Sequence, residues 1–222
     1  MKKTRGLVIV GAGEFAELAY EYFSKDSPYR VAAFCAEKAF IRRNRLKGLP
    51  VVDFEKIGRS HPPRRFRAFV AVTYTQLNGA RKRLFRETEK KGYELVSFVS
   101  SKSFVDPTVT LGGGTFIYDL ASIQPFARIG KGVVVGSLCQ IAHRAEIGDF
   151  AYLASSATVG GFSRVGERAF LGLNSTVIDR IVMTKGAALA AGAVLTRDAR
   201  KGHVYRGNPA DDSGVEASVL FK

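Results

Sequence analysis

The chain has 222 residues, 46% of them hydrophobic and 11% aromatic, which is enough to bury the core of one large domain or two small ones and excludes a disordered chain. No apolar stretch approaches the roughly 18 residues that a membrane-spanning helix needs. The apolar run after the N-terminal lysines ends in a glycine turn, unlike that of a signal peptide. We therefore expect a cytoplasmic protein without an integral membrane segment.

The chain is strongly basic, with 34 Lys and Arg against 20 Asp and Glu, which favours a polyanionic partner. The excess lies in residues 1–97, which hold 21 basic and 10 acidic residues, whereas residues 98–222 hold 13 and 10. No nucleic-acid-binding module accompanies the basic residues, so no nucleic-acid partner is expected. The two cysteines, Cys35 and Cys139, lack metal-ligand spacing and are expected to be buried thiols.

A strand, a glycine turn and a helix open the chain. The apolar run Gly6–Val10 is followed by Gly11-Ala12-Gly13 and then by AELAYEYF, whose apolar residues recur at helical spacing. Glycines at such a turn let backbone N–H groups approach a phosphate or a sugar at the helix N-terminus. Ala16 stands in place of the third glycine of the dinucleotide fingerprint, and a plain tight turn remains the alternative.

Two further strands predict a small parallel α/β domain. The strand Tyr29–Phe34 leads to Glu37, which lies about where an acid that binds a ribose is expected, or is a solvated loop acid. The strand Arg67–Val72 precedes Thr73-Tyr74-Thr75 and a basic helix. These units are too short for a full two-half Rossmann fold, so a nicotinamide cofactor is not expected.

The period of the sequence changes in the second half. Every sixth residue from Val105 to Leu195 is apolar, at 16 positions without a break. Glycine often follows the apolar residue, where we expect a bend at positive φ. A period of six fits short strands joined by corners in a parallel β-helix. We therefore predict a Rossmann-like parallel-sheet domain over residues 1–97 and an all-β parallel β-helix over residues 98–222.

The repeat itself, from IGKGVVVGSLCQIAHRAEIGDF to RVGERAFLGLNSTV, resembles the left-handed β-helix of hexapeptide-repeat acyltransferases, in which three hexads make one triangular coil. With GAGEFAE near the start, LGLNSTVIDRI in the repeat and RGNPA near the end, nearly the whole chain is similar to the nucleotide-sugar acyltransferases of the sialic acid O-acetyltransferase and bacillosamine-pathway N-acetyltransferase group. The resemblance implies a homotrimeric enzyme of bacterial surface-glycan biosynthesis, such as that of lipopolysaccharide O-antigen. It implies that acetyl-CoA, the co-substrate, lies between adjacent helices and acetylates an amino group of a nucleotide-linked amino sugar.

The resemblance also implies where the two substrates bind. The nucleotide sugar is expected on the first domain, at Gly11, Gly13, Glu14, Phe15, Ala36, Glu37, Thr73 and Tyr74. Residues 18 apart stack in such a helix, and the pantetheine arm is expected to run along a column of that kind. The residues expected to contact acyl-CoA are Tyr152, which stands where relatives often carry a second histidine, and Gly161, Leu173, Ala191 and Arg197.

His143 is the expected catalytic base, since it is the only histidine within the repeat and stacking by 18 places it beside Gly161. Acyl transfer needs a base for the proton of the attacking nitrogen and a donor for the oxyanion. We expect His143 to act as the base and a backbone N–H near Gly161 to act as the donor, with direct attack in a ternary complex. Related enzymes often carry Glu after this histidine, whereas this chain has Arg144, so an orienting carboxylate must come from elsewhere or be missing. Glu146 and Asp149 are nearby candidates, with a solvated corner residue as the alternative for each.

Three other functions fit parts of the sequence. A γ-class carbonic anhydrase also uses this β-helix, but its zinc needs three histidines and the repeat has one, so no metal is expected. A sugar O-acetyltransferase would act on a less nucleophilic hydroxyl and would depend more on an oriented base. A catalytically silent trimeric scaffold would bind the nucleotide sugar without turning over acetyl-CoA.

Overall fold

The computed structural model describes residues 5–209 and 211–220, so Ala210, the last residue of the RGNPA motif, lies outside the described residues. The chain divides into two compact units. The first consists of Met1–Thr73 and Arg81–Phe98, and the second of Tyr74–Ala80 and Val99–Lys222. The structure differs from a division between residues 97 and 98 chiefly in assigning the short segment Tyr74–Ala80 to the second unit.

The first unit is built on a mostly parallel sheet. Its strands and helices are β1 (Arg5–Val10), α1 (Glu14–Lys25), β2 (Tyr29–Ala36), β3 (Arg45–Leu46), β4 (Leu49–Asp53), α2 (Ile57–Ser60), β5 (Phe66–Val70) and α3 (Gly79–Lys90), which begins within the second unit. The strand order is β3-β4-β2-β1-β5, and all neighbours are parallel except the short pair β3 and β4. The parallel-sheet α/β architecture predicted for this half is confirmed.

Burial on both faces explains why the central strands are continuous apolar runs instead of alternating ones. Leu7 and Ile9 of β1 and Phe34 of β2 have no exposed surface, and Phe23 of α1 packs over the sheet against Phe69 of β5, with ring centroids 5.2 Å apart. Each such side chain contributes about 1.5–3 kcal/mol on burial. None of the helices among the described residues is long and apolar enough to cross a membrane.

The second unit winds as a parallel β-helix. Strands of two residues recur every six residues, and those that begin between residues 104 and 176 each pair in parallel with the strand 18 residues further on. The first sheet contains β7 (Phe104–Val105), β10 (Ser122–Ile123), β13 (Gln140–Ile141), β16 (Thr158–Val159), β19 (Thr176–Val177) and β22 (Val194–Leu195). The second contains β8 (Thr110–Leu111), β11 (Arg128–Ile129), β14 (Glu146–Ile147), β17 (Arg164–Val165) and β20 (Val182–Met183). The third contains β6 (Phe98–Val99), β9 (Phe116–Ile117), β12 (Val134–Val135), β15 (Tyr152–Leu153), β18 (Phe170–Leu171), β21 (Ala188–Leu189), β23 (His203–Arg206) and the antiparallel β24 (Asp211–Glu216).

The apolar residue of each hexad faces the interior. From Ile117 to Leu195 these side chains are at most 4% exposed, and the small residues two places earlier, such as Ala145 and Ala157, lie in the same core. The first positions of the column differ, since Leu111 is 36% exposed near the N-terminal end of the coil. An interior filled by one large apolar residue and one small residue from each hexad fixes the six-residue period.

The corners differ from the expectation for glycine. The glycines that follow the apolar residue do not have positive φ; they are needed because the next coil lies against them, and a Cβ on Gly148 would lie 2.6 Å from the nitrogen of Glu167. Positive φ falls two residues later, at ten non-glycine residues: Leu120, Phe126, Leu138, Arg144, Phe150, Ser156, Phe162, Arg168, Asn174 and Arg180. Each such residue costs about 1–2 kcal/mol in isolation. The ladder between coils offsets this cost; the N–H of Arg180, for example, donates to the carbonyl of Gly161 at 2.9 Å.

Candidate active site

His143 lies at an outer corner of the β-helix, just after β13, and its side chain is exposed. The residues that stack at this corner every 18 positions are 125–126, 143–144, 161–162 and 179–180, and we call them the His143 corner. The imidazole lies against Gly161, where a Cβ would be 2.9 Å from Cε1 and 3.1 Å from Nε2 of His143. The stacking of His143 and Gly161 expected from the 18-residue step is present.

The imidazole of His143 is held by packing. Its ring meets the ring of Phe162 edge to face, with centroids 5.1 Å apart and an angle of 86°. The His143 backbone N–H donates to Oε1 of Gln124 at 3.1 Å. Within residues 5–209 and 211–220, neither ring nitrogen of His143 has a hydrogen-bond partner. Both nitrogens are therefore available to exchange a proton with a ligand.

The other two histidines are engaged with neighbours. Nδ1 of His61 lies 2.9 Å from Oγ of Ser60, and burial lowers the pKa of His61. Nδ1 of His203 lies 2.9 Å from a carboxylate oxygen of Asp212. His143 thus differs from both in environment as well as in its place in the repeat.

Neither expected carboxylate orients the imidazole. Glu146 lies on the second sheet between Arg164, at 3.7 Å, and Arg128, at 3.9 Å. Asp149 accepts a hydrogen bond from the N–H of Lys131 at 2.8 Å. Neither carboxylate reaches the ring because residues three and six positions beyond His143 belong to the next sheet and the next corner.

The amide of Gly161 is also not free to act as the expected oxyanion donor. Its N–H donates to Oδ1 of Asp179 at 2.6 Å. Asp179 stands one coil further on at the same corner, and Asp149 caps Lys131 in the same way at the neighbouring corner. The capping is a property of the coil geometry, in which an aspartate 18 residues on reaches the amide beneath it.

The residues expected to contact acyl-CoA do not form one surface on one chain. Gly161 belongs to the His143 corner, whereas Leu173 and Ala191, which are exposed and 18 apart, lie at the corner that follows the third sheet. A step of 12 residues turns the coil by two thirds, so only steps of 18 stack. Gly161 and Leu173 therefore cannot contact the same stretch of pantetheine along one column.

Tyr152 and Arg197 have partners of their own. The Tyr152 ring stacks on Phe170 of the third sheet, with centroids 5.7 Å apart and an angle of 15°. Arg197, at the last coil, pairs with Asp211 of β24 at 2.5 Å, and both side chains are mostly exposed. An ion pair this exposed contributes little free energy, so the Arg197 guanidinium can leave Asp211 and bind another anion at low cost.

In the first unit, the glycine turn lies where it was expected, between β1 and α1. The φ of Gly11 is +138°, a conformation that requires glycine. Its backbone N–H donates to the carbonyl of Cys35 at 2.7 Å. A Cβ at Gly13 would meet open space, and no side chain caps the N-terminus of α1. Glu14 is exposed there, whereas the Phe15 side chain is 6% exposed and packs in the core against Phe69. The predicted contact of Phe15 with a ligand would therefore have to come from its backbone.

Glu37 follows buried Ala36 at the carboxyl end of β2 and is held by an arginine that sequence reasoning missed. Arg83 of α3 donates to both carboxylate oxygens, at 3.0 and 2.8 Å, and also pairs with Glu87. The hydrogen bonds with Glu37 raise the pKa of Arg83 above its usual value. The fork geometry fixes the carboxylate in one orientation.

Tyr74 and Thr73 lie on either side of the boundary between the units. The carbonyl of Thr73 faces the Arg81 guanidinium at 3.5 Å. The Tyr74 ring packs edge to face on Tyr152 and Phe170 of the third sheet, at 5.2 Å from each. Tyr74 was expected to contact the nucleotide sugar and Tyr152 the acyl-CoA, but the two rings contact each other within the second unit.

Both cysteines are buried, as expected. Burial raises the pKa of each thiol to about 12, and Sγ of Cys139 lies 3.0 Å from the carbonyl oxygen of Ala154. Among the described residues, no group of three or more His, Cys, Asp and Glu side chains is arranged to hold a metal ion.

Part of the β-helix around His143 matches a known protein family. Residues 126–161, which include His143 and Gly161, match the family model described as bacterial transferase hexapeptide (six repeats). No curated protein matches the chain.

Solved structures extend the comparison to nearly the whole chain. PerB from Caulobacter crescentus, in complex with CoA and GDP-perosamine, is 27% identical over 94% of this chain and 97% of its own, with a TM-score of 0.84. A histidine-to-alanine variant of GDP-perosamine N-acetyl transferase from the same organism, with the same ligands, is 27% identical over 95% and 97%, with a TM-score of 0.76. The acetyltransferase domain of PglB from Neisseria gonorrhoeae shares the fold, at 23% identity over 94% and 100%, with a TM-score of 0.85. The resemblance to this group predicted from the sequence is confirmed.

Proposed function

We propose that this chain is an acetyl-CoA-dependent N-acetyltransferase that acts on the amino group of a nucleotide-linked amino sugar, with His143 as the general base. The observation that carries the proposal is the likeness to PerB, solved with CoA and GDP-perosamine, over nearly the full length of both chains. The exposed imidazole of His143, with both ring nitrogens unengaged among the described residues, supports the assignment of the base.

The reaction is a direct transfer between two bound substrates. The amine nitrogen attacks the thioester carbonyl, and His143 takes the proton that the nitrogen loses as the new C–N bond forms. The C–S bond then breaks, and the departing CoA sulfur receives the proton that His143 took from the amine, which returns the imidazole to its neutral form. Neither cysteine takes part as an acyl carrier, because both are buried and held as thiols by their raised pKa.

An amine is a better match to this site than a sugar hydroxyl. No carboxylate contacts the His143 ring among residues 5–209 and 211–220, and Glu146 and Asp149 are engaged elsewhere. A hydroxyl is the weaker nucleophile and would depend on an imidazole made more basic by a carboxylate. The unassisted histidine therefore favours N-acetylation over the O-acetylation alternative.

The first unit is proposed to bind the nucleotide. The open space at Gly13 leaves the N-terminus of α1 accessible to phosphate oxygens, and the oriented carboxylate of Glu37 suits ribose hydroxyls. Its fold is proposed to be a small Rossmann-like one, and that of the second unit a left-handed coil. Both units would work in the cytoplasm, in bacterial surface-glycan biosynthesis.

The CoA site is proposed to lie between adjacent protomers of a homotrimer. Leu173, Ala191 and Tyr152 lie on other faces of the coil than His143. An acyl-CoA that contacts these residues and also presents its thioester to His143 must therefore touch two copies of the chain. This requirement supports an assembly of several copies of the chain. The number three is what the resemblance to the hexapeptide-repeat acyltransferases implies.

A panel of nucleotide-linked amino sugars tests the proposal. UDP-, dTDP- and GDP-linked amino sugars are incubated with acetyl-CoA, together with the matched hydroxy sugars, and the release of free CoA thiol is followed. We expect turnover with at least one amino sugar and none with its hydroxy counterpart. Tight nucleotide-sugar binding without any thiol release would instead identify the chain as a silent scaffold.

A further inference from the structure

The His143 corner carries an alternating column of aromatic rings and guanidinium groups. The residues are Phe126, Arg144, Phe162 and Arg180, spaced 18 apart, and each has positive φ, which turns its side chain outward. The Arg144 guanidinium covers the ring of Phe126 at 4.8 Å, and the Arg180 guanidinium covers the ring of Phe162 at 4.6 Å. The column therefore consists of two equivalent pairs, and each residue of the second pair lies 36 residues, or two coils, beyond its counterpart in the first.

Only one of the two rings contacts the imidazole. Phe162 meets the His143 ring edge to face at 5.1 Å, while Phe126 makes no ring contact with it among the described residues. Gly161 also lies against the imidazole, with the place of its missing Cβ 2.9 Å from Cε1. The imidazole thus contacts both a bare backbone and a perpendicular aromatic ring, and the Arg180 guanidinium lies over that ring.

We propose that Phe162 is a positioning residue for His143: it orients the imidazole in place of the carboxylate that a residue after the histidine would supply. Arg144 occupies that position and is directed to Phe126, away from the imidazole. A perpendicular aromatic contact favours one plane of the imidazole. Neither ring nitrogen of His143 has a hydrogen-bond partner among the described residues, so both stay available for proton transfer. The inference rests on the proposed role of His143 as the base.

Phe162→Ala and Phe126→Ala form a matched pair. Both rings are partly exposed, at 42% and 51%, both residues have φ near +60°, and both lose a stacked arginine on substitution. We expect Phe162→Ala to lower kcat about fivefold to tenfold, with KM for each substrate changed less than about twofold. Phe126→Ala is expected to keep kcat, and Phe162→Tyr, which retains the aromatic ring beside the imidazole, is expected to keep kcat close to that of wild type. Equal kcat for the two alanine variants, or a loss that appears only in KM, would overturn the inference.

Imidazole NMR separates this inference from the proposed function. The chain has three histidines, so the His143 signals are assigned with His143→Gln. We expect Phe162→Ala to shift the ring protons of His143, because it removes the ring current, and Phe126→Ala to leave them in place. If no acceptor is acetylated but this shift is seen, the proposed function fails and the packing stands. If acetylation requires His143 but Phe162→Ala moves neither kcat nor the signals, the inference fails and the proposed function stands.

Discussion

Replacing Gly161 by alanine should displace the His143 imidazole while leaving the coil folded. Gly161 does not have positive φ, so its backbone accepts an L side chain. A Cβ there would lie 2.9 Å from Cε1 of His143, whereas ordinary contact begins at 3.4 Å, so the ring must withdraw by about 0.5 Å or leave its rotamer. Because a misplacement of about 1 Å can cost about 100-fold in rate, we expect kcat to fall by about tenfold to 100-fold.

The neighbouring glycine supplies the control for stability. A Cβ at Gly160 would lie 2.5 Å from the backbone nitrogen of Asp179 and 2.6 Å from the carbonyl carbon of Ile178, neither of which can rotate away. Overpacking of this kind costs about 1–3 kcal/mol, about twice the 0.5–1.5 kcal/mol of an off-rotamer imidazole. Thermal unfolding and thiol release are measured on both variants. Unchanged turnover in Gly161→Ala, or a Tm loss as large as that of Gly160→Ala, would refute the placement of the imidazole over this glycine.

Three further outcomes are expected. Cys35 and Cys139 should react only slowly with a disulfide reagent at pH 8 in the folded protein, because burial raises the pKa of each thiol to about 12, and rapid labelling of native protein would argue against their burial. Since thiols of the unfolded chain ionise near 9.0, the free energy of unfolding should decline as the pH rises above that value. Ile147→Asp should prevent folding or lower Tm by more than about 10 °C, because it buries an unpaired charge in the coil core; a normal melting curve would contradict the inward-facing column. Glu37→Gln should raise KM for the nucleotide sugar about tenfold with kcat nearly unchanged, since it weakens the acceptor that Arg83 holds; Michaelis kinetics at saturating acetyl-CoA measure this, and an unchanged KM would remove Glu37 from the site.

The six-residue period was sufficient to predict the coil and one contact within it. An apolar residue at every sixth position can be buried only if the chain turns by one third at each hexad, so an 18-residue step necessarily stacks His143 on Gly161. The same arithmetic applied to Gly161 leads to Asp179, which was missed, although the stacked aspartate was visible in the sequence. Phe162 was missed for a different reason, because a phenylalanine beside a corner glycine has no signature until positive φ turns it outward.

The first unit was harder to predict in detail. Its strands could be located as apolar runs, but the exact face of each residue could not, and the burial of the Phe15 side chain at the start of α1 was not foreseen. The pair Glu37 and Arg83 joins residues 46 positions apart, and nothing local marks an arginine in a basic helix as the partner of one particular carboxylate. The hairpin of β3 and β4 was missed because Lys47-Gly48 supplies its turn, and positive φ at a lysine is not a sequence signal.

The transfer of a labelled acetyl group to an amino-sugar nucleotide, compared across single substitutions of the three histidines, tests the central claim most directly. The measurement is the amount of acetylated sugar nucleotide formed per unit time by wild type, His143→Ala, His61→Ala and His203→Ala. We expect His143→Ala to lose about 10²–10⁴-fold in rate, as for a general base, and the other two variants to stay close to wild type. Retained transfer in His143→Ala, with the loss in another variant, would contradict the assignment of this corner as the site of the reaction.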